Sequence, residues 1–222
     1  MAELAKIFDA RQGDFGDERK RNFVYPFALE LVRNFSFRKA LDIGCGNGSF
    51  VRYCAVRGVQ LDGLDANPDM IALALERDRS VGVTAHYHIA DAAAHDLQEC
   101  DLAVCLFSLQ DMREPLHFLK TLAQTARRPF HLIVLGESLK SLVSNTWVHS
   151  TKRRLEDCQG YDDAIYISYA DWGGAESTTY CRPDQRYLDF VSATNMVVLR
   201  SGYFGHDGAF FYFCAGDRSA SG

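Results

Sequence analysis

The stretch Leu41-Asp42-Ile43-Gly44-Cys45-Gly46-Asn47-Gly48 decides the fold that this chain is expected to adopt. Ala40, Leu41 and Ile43 are apolar and are typical of the end of a buried strand, and a helix is expected from about Gly48 onward. Glycine has no Cβ and tolerates φ > 0, so a turn rich in glycine lets the backbone approach a ligand closely. The helix N-terminus behind the turn offers unpaired N–H groups. The sequence therefore predicts a ligand-binding turn within an α/β unit.

The glycine spacing and the charge before it indicate the kind of ligand. Dinucleotide-binding turns follow G-x-G-x-x-G, but here the third glycine is Gly48, one residue early, and Ser49 stands in its place. Asp42 precedes the turn, where its carboxylate repels a pyrophosphate and attracts an ammonium group. The pattern therefore favours a cationic ligand without phosphate.

The pattern Asp42-x-Gly44-x-Gly46-x-Gly48 resembles motif I of the class I S-adenosylmethionine-dependent methyltransferases. The resemblance covers about residues 40–136 and resumes more weakly at 180–215. It implies S-adenosyl-L-methionine as cofactor and S-adenosyl-L-homocysteine as product. Asp65 closes the second predicted strand, and the resemblance implies that its two oxygens accept the vicinal ribose hydroxyls.

The same resemblance implies further cofactor-binding residues at the ends of later strands. These are Ala66 and Met70 beside the adenine, Asp91 with Ala92 near its amino group, and Phe107 beside the methionine moiety.

Composition and charge disfavour several classes of protein. The chain has 222 residues and a formal net charge of −5, so a nucleic-acid partner is not expected. Its seven cysteines include no C-x-x-C pair, and no metal site is expected. The N-terminus lacks the apolar region of a signal peptide and no apolar run reaches membrane-spanning length, so we expect a cytoplasmic protein without a membrane partner.

Alternating strand and helix patterns predict the fold class. Between residues 40 and 136 they favour a doubly wound, mostly parallel, Rossmann-like sheet with helices on both faces. β-branched and aromatic runs at 196–203 and 209–215 predict a C-terminal antiparallel hairpin, which completes seven strands.

We expect one methyltransferase domain over residues 1–222. It divides into an N-terminal helical extension (1–39), the cofactor-binding core (40–136), an active-site insert (137–182), and a final helix with the hairpin (183–217). The insert lacks clean periodicity, and part of it, near 141–157, is expected to be helical.

Aromatic residues in the extension and the insert predict a pocket for a flat or cationic organic molecule. The candidate substrate-binding residues are Tyr25, Trp147, Tyr166, Trp172, Tyr180 and Arg182. Methyl transfer from a sulfonium mainly requires orientation and desolvation, and a general base only for a weak nucleophile. His149 in the insert is the first candidate base, and His206 on the hairpin turn is the second.

The resulting hypothesis is a methyltransferase that acts on an O, N or C atom of a small, partly aromatic metabolite. Two alternatives stay open: a tRNA or protein methyltransferase, and a non-catalytic cofactor-binding module of the same fold. After the fourth strand the chain reads Phe107-Ser108-Leu109-Gln110-Asp111, without the Asn-Pro-Pro-Tyr tetrad of enzymes that methylate planar amines or glutamine amides. The sequence leaves the oligomeric state open.

Overall fold

The computed structural model describes residues 20–92, 100–144, 155–157, 165–170 and 176–217. Its strands, in chain order, are β1 (Ala40–Ile43), β2 (Asp62–Asp65), β3 (Tyr87–Ile89), β4 (Leu102–Leu106), β5 (His131–Glu137), β6 (Leu155–Asp157), β7 (Ile165–Ala170), β8 (Glu176–Cys181), β9 (Met196–Phe204) and β10 (Phe210–Asp217). Its α-helices are α1 (Tyr25–Arg33), α2 (Ser49–Ala55), α3 (Pro68–Val81), α4 (Pro115–Thr125), α5 (Leu139–Ser144) and α6 (Asp184–Ser192). A π-helical turn, Lys20–Val24, leads into α1.

The main sheet has seven strands in the order β3-β2-β1-β4-β5-β10-β9. The strands β1 to β5 pair in parallel, whereas β10 is antiparallel to both β5 and β9. The direction of winding reverses between β1 and β4, so the carboxyl ends of these two strands flank a crevice suited to a ligand. The predicted doubly wound sheet with a C-terminal antiparallel hairpin is confirmed.

The two faces of the sheet bury separate apolar layers. One layer packs α4 and α6 against alternate residues of the strands, such as Ala103 and Cys105 of β4. The other layer packs α1 and α2 against the intervening residues, such as Leu102 and Val104. This division follows from the two-residue period of a strand, and it explains why β4 is apolar throughout.

Local signals set both ends of α3. In α3, Pro68 occupies the first turn and the Asn67 side chain accepts a hydrogen bond from the Asp69 N–H. Gly82, at φ 69°, ends this helix. The sequence predicts an end near Glu76, but the helix continues to Val81. None of the helices in the described part of the chain has the length and apolarity that a membrane span requires.

The insert differs from its expected structure. Its first residues form α5, but Leu155–Asp157 is strand β6, which pairs with β7, and β7 pairs with β8, both in antiparallel fashion. The helix predicted near 141–157 is therefore wrong at 155–157, and residues 145–154 lie outside the described residues. Strand pairing within this small sheet is set by partners some ten residues away, a contact that local periodicity does not reveal.

Candidate functional site

The glycine turn between β1 and α2 takes its shape from three left-handed residues. Gly44, Gly46 and Gly48 have φ values of 72°, 53° and 72°. A Cβ on Gly44 would lie 3.0 Å from Ser108 Oγ, and one on Gly48 would lie 2.9 Å from the Ala74 Cβ. These two glycines therefore let the turn pack closely against the rest of the fold.

Gly46 differs from Gly44 and Gly48 because its Cβ position faces open space. No heavy atom of the described residues comes within 4 Å of a Cβ built on Gly46. Its N–H donates to Asp65 Oδ2 at 2.8 Å, which fixes the peptide from the other side. Gly46 thus presents bare backbone to open space at the carboxyl end of β1.

Asp65, the last residue of β2, joins this turn to the start of α3. Besides the Gly46 N–H, its carboxylate accepts the Asn67 N–H at 2.8 Å. A carboxylate offers about four lone-pair sites, so these two bonds leave acceptor capacity for further donors. This geometry is compatible with the predicted ribose contact, which stays a prediction.

Asp42 is the most unusual charged residue of the site. It is 2% exposed, and its Oδ1 accepts no hydrogen bond from any residue that the structure describes. Burial, and then the Asp65 carboxylate, raise the pKa of Asp42 to about 7, while the Lys20 ammonium opposes this rise. A buried carboxylate oxygen without a donor is unfavourable unless a cation or a donor reaches it. The site therefore favours a positively charged group.

Phe107 follows β4 and has a strained backbone. Its φ is 65°, which costs a non-glycine residue about 1–2 kcal/mol. Its N–H donates to Leu135 O at 2.7 Å, and its ring meets the Phe210 ring at a centroid distance of 6.0 Å. The Lys20 ammonium lies 4.6 Å from the centre of the Phe107 ring, so one cation of the chain already lies over this ring. Strained residues of this kind cluster at functional sites.

The remaining predicted cofactor residues lie at the same edge of the sheet. Ala66 is exposed between β2 and α3, and Met70 is buried in the first turn of α3. Asp91 is half-buried and Ala92 is buried just after β3. The structure brings these positions to the carboxyl ends of adjacent strands, as predicted, while their contacts with a cofactor stay predictions.

Three residues behind the turn are absent from the sequence-based prediction. Arg52 of α2 forms an ion pair with Asp78 of α3, and Tyr87 of β3 donates to Asp78 at 3.0 Å. Arg52 also donates to the Asn47 carbonyl at 3.1 Å. Because 26 residues separate Arg52 from Asp78, no local pattern signals this network.

Two further residues near the site are also missing from the prediction. Ser108 donates its hydroxyl hydrogen to Ile43 O at 2.6 Å, which ties the segment after β4 to the end of β1. Lys20 lies in the polar N-terminal segment, where a single lysine carries no distinguishing signal.

Two of the predicted substrate-binding residues have structural contacts. Tyr25 is 5% exposed and its ring lies 5.5 Å from those of Phe50 and Tyr53, so it packs α1 against α2. Arg182 is also buried, and its guanidinium donates to Met112 O at 3.3 Å and to Arg113 O at 2.9 Å. It thereby anchors the end of β8 to the segment after β4. Contacts of either residue with a substrate stay predictions.

The other predicted substrate and base residues divide into two groups. Tyr180 of β8 is half-buried and pairs in register with Tyr166 of β7. His206 is on the β9–β10 turn, with a side chain that is 93% exposed and Nδ1 2.9 Å from Asp207 Oδ2. The remaining candidates lie outside the described residues: Trp147, His149 and Trp172. Among the described residues, no group of His, Cys, Asp and Glu is arranged to hold a metal ion.

Comparison with known sequences agrees with this geometry. Residues 40–128 match the family model described as a methyltransferase domain. The ubiquinone biosynthesis O-methyltransferase of Hydrogenovibrio crunogenus is 24% identical over 131 residues, which cover 56% of this chain and 53% of that protein. The chain thus spans about half the length of the curated relatives that it matches.

Solved structures share the fold over most of the chain. A S-adenosylmethionine-dependent methyltransferase of Clostridium acetobutylicum matches with a TM-score of 0.64 at 14% identity, over 92% of this chain and 93% of that one. Magnesium protoporphyrin IX methyltransferase of Synechocystis PCC 6803, solved with bound SAH, matches with a TM-score of 0.62 at 16% identity, over 87% of this chain and 82% of that one. Fold and glycine turn together define a Rossmann-like α/β protein. Residues 40–128 therefore match a methyltransferase domain, and the fold is similar to that of S-adenosylmethionine-dependent methyltransferases.

Proposed function

We propose that this protein is a methyltransferase that uses S-adenosyl-L-methionine to methylate an O, N or C atom of a small, partly aromatic metabolite. One observation carries the proposal: Oδ1 of the buried Asp42 carboxylate accepts no hydrogen bond from the described residues, beside a turn whose Gly46 faces open space. A cationic ligand that approaches the backbone closely satisfies both features.

The residues at the site fit this cofactor group by group. Asp42 attracts the α-ammonium, the bare backbone of Gly46 admits the ligand, and Asp65 has capacity for ribose hydroxyls. When bound, the cofactor supplies a methyl group on a sulfonium that is already a good leaving group. The chain's own contribution is then to orient the acceptor and to exclude water.

The proposed acceptor class draws on the cluster of buried and half-buried aromatic rings beside Phe107. Aromatic rings continue from Phe107 to Phe210, Phe204 and Phe27, the last two stacked at a centroid distance of 4.2 Å. Such rings favour a flat apolar partner. The names of the matched relatives refer to ubiquinone biosynthesis and magnesium protoporphyrin IX, both small-molecule systems. With a net charge of −5, a nucleic-acid acceptor is disfavoured, and the proposed location is the cytoplasm.

Calorimetry with S-adenosylhomocysteine tests the cofactor half of the proposal. We expect saturable binding by the wild type and at least about tenfold weaker binding by Asp42→Asn, which removes the charge but retains the shape. Absence of binding by the wild type at about millimolar ligand rejects the proposal.

A turnover assay tests the catalytic half. The protein is incubated with S-adenosylmethionine and a metabolite extract, and release of S-adenosylhomocysteine is measured against the Asp42→Asn variant. Release that requires the small-molecule fraction supports the proposal. Cofactor binding without release indicates a non-catalytic module, and release that requires the tRNA or protein fraction indicates the corresponding macromolecular acceptor.

A further inference from the structure

A buried network of an ion pair and a tyrosine hydroxyl packs against the glycine turn from the side of α3. Arg52 and Asp78 form an ion pair in which their side chains are 15% and 4% exposed. The Tyr87 hydroxyl donates to Asp78 Oδ2 at 3.0 Å. Burial, and then the Asp78 charge, raise the pKa of Tyr87, so its hydroxyl remains a donor. None of the three residues is among those that the motif assigns to the cofactor.

The network contacts two successive residues of the turn. Arg52 donates to the Asn47 carbonyl at 3.1 Å. At Gly48, a Cβ would lie 2.9 Å from Tyr87 Cζ, so the tyrosine ring abuts the turn directly. The tyrosine also closes over the start of β2, where a Cβ on Gly63 would lie 2.5 Å from its ring. Arg52, Asp78 and Tyr87 thereby join α2, α3 and β3 behind one tight turn.

A buried ion pair is weak evidence for net stability, because apolar residues of similar volume often stabilise a core as well. Buried and fully connected polar groups more reliably fix one geometry. Glycine is conformationally permissive, so the three left-handed glycines do not by themselves fix the shape of this turn. The network therefore fits a role in selecting the shape of the turn.

We propose that Arg52, Asp78 and Tyr87 are positioning residues, which hold the glycine turn in the shape that binds the cofactor without touching the cofactor themselves. This inference rests on the proposed function, since it assigns the network to the same site. It extends the site to a layer of side chains behind the backbone that meets the ligand.

The first test compares two tyrosine-to-phenylalanine variants. Tyr87→Phe removes the hydroxyl bonded to Asp78, whereas Tyr187→Phe removes a hydroxyl that donates to Tyr180 O at 3.3 Å, away from the turn. We expect Tyr87→Phe to weaken S-adenosylhomocysteine binding about tenfold and Tyr187→Phe to leave it within about twofold, although each loses one hydrogen bond. Thermal melting without ligand shows how much each variant is destabilised.

A second readout does not depend on the ligand. In Tyr87→Phe, amide hydrogen exchange at Gly46 and Gly48 should accelerate, while exchange in β5 stays as in the wild type. Arg52→Lys retains the charge opposite Asp78 but loses the second N–H that reaches Asn47, so it should give the same pattern.

The outcomes separate the two hypotheses. If the wild type binds S-adenosylhomocysteine but Tyr87→Phe binds it no more weakly than Tyr187→Phe, the network is purely structural and this inference fails alone. If the wild type binds no S-adenosylhomocysteine, the proposed function fails and this inference fails with it. Unchanged exchange at Gly46 and Gly48 in Tyr87→Phe also overturns the positioning role.

Discussion

The charge state of Asp42 is expected to affect both the stability of the fold and the binding of its ligand. Its pKa is about 7 in the folded chain, against 3.8 as the ordinary value. Because the folded pKa is the higher one, the folded state favours the protonated carboxyl. The ligand-free protein therefore loses stability as the pH rises from about 4 to about 7. Above that range the ionised carboxylate is fully formed and attracts a cation most strongly.

The pH dependence of ligand binding follows from the raised pKa of Asp42. S-adenosylhomocysteine should bind about tenfold or more weakly at about pH 5.5 than at about pH 7.5, because Asp42 must lose its proton to face the ligand's ammonium. Calorimetry at both pH values measures the change. Asp42→Asn should bind weakly at both and show little pH dependence. An affinity of the wild type that does not vary with pH argues against an ionised Asp42 in the complex.

Two glycine substitutions in one turn should behave differently. In Gly46→Ala the new methyl group meets no described atom, so the stability loss comes from the φ of 53° and is about 1–2 kcal/mol. The methyl group occupies the open face, however, and the affinity for S-adenosylhomocysteine should fall by at least about tenfold. Gly48→Ala forces its methyl group against Ala74 and Tyr87, so its melting temperature should fall further. Equal ligand affinity in Gly46→Ala and the wild type would show that the ligand lies elsewhere.

Single residues also show what the sequence could predict about the site. Asp42, Asp65 and the glycines stand in a short segment with fixed spacing, so their positions are readable locally. Lys20 and the Arg52–Asp78 pair make contacts between residues that are distant in sequence. These contacts form only when the fold brings α2, α3 and the N-terminal turn together. Spacing along the chain contains no signal for such contacts.

Among the helices and strands, prediction succeeded where one face or both faces of a strand are buried. β4 and β5 are nearly continuous apolar runs, and β10 is rich in aromatic residues, so each matches its expected position closely. Prediction failed at β6, a three-residue strand defined by its pairing with β7 rather than by its own residues. It also ended α3 early, since the last turn of that helix is polar and is held by the buried Asp78.

Arg182 connects two elements that are distant in sequence. Arg182→Met leaves the carbonyls of Met112 and Arg113 without their charged donor and should lower the free energy of unfolding by about 2–4 kcal/mol. Urea denaturation measures this loss. The exposed Arg200→Met is the control and should change stability by less than about 0.5 kcal/mol. Equal stability of the two variants would mean that the anchor of β8 contributes nothing measurable.

Across the main sheet, two polar anchors, Asp101 and Asp217, lie at the opposite ends of the parallel strands from the ligand site. Asp101 accepts the N–H groups of Arg38 and Lys39 just before β1, and Asp217 accepts the Phe130 N–H at 2.8 Å just before β5. The glycine turn and Phe107 lie at the opposite, carboxyl ends of the parallel strands, after β1 and β4 respectively. Stability and ligand binding should therefore be separable by mutation.

Asp217→Ala tests this separation. It leaves the buried Phe130 N–H without its acceptor and should lower the free energy of unfolding by about 1–3 kcal/mol. S-adenosylhomocysteine affinity, measured below the melting transition, should stay within about twofold of the wild type. A large loss of affinity in this variant would show that the two ends of the strands are coupled.

The position of β10 has a consequence for how the chain is synthesised. β10 is the last strand in the chain order of the main sheet, yet it lies between β5 and β9, and all eight of its residues are buried. When the chain has emerged from the ribosome only as far as Phe204, β9 lacks its pairing strand and the edge of β5 is open. An open strand edge is a template for association with other chains. The nascent protein is therefore open to association through this edge until β10 emerges.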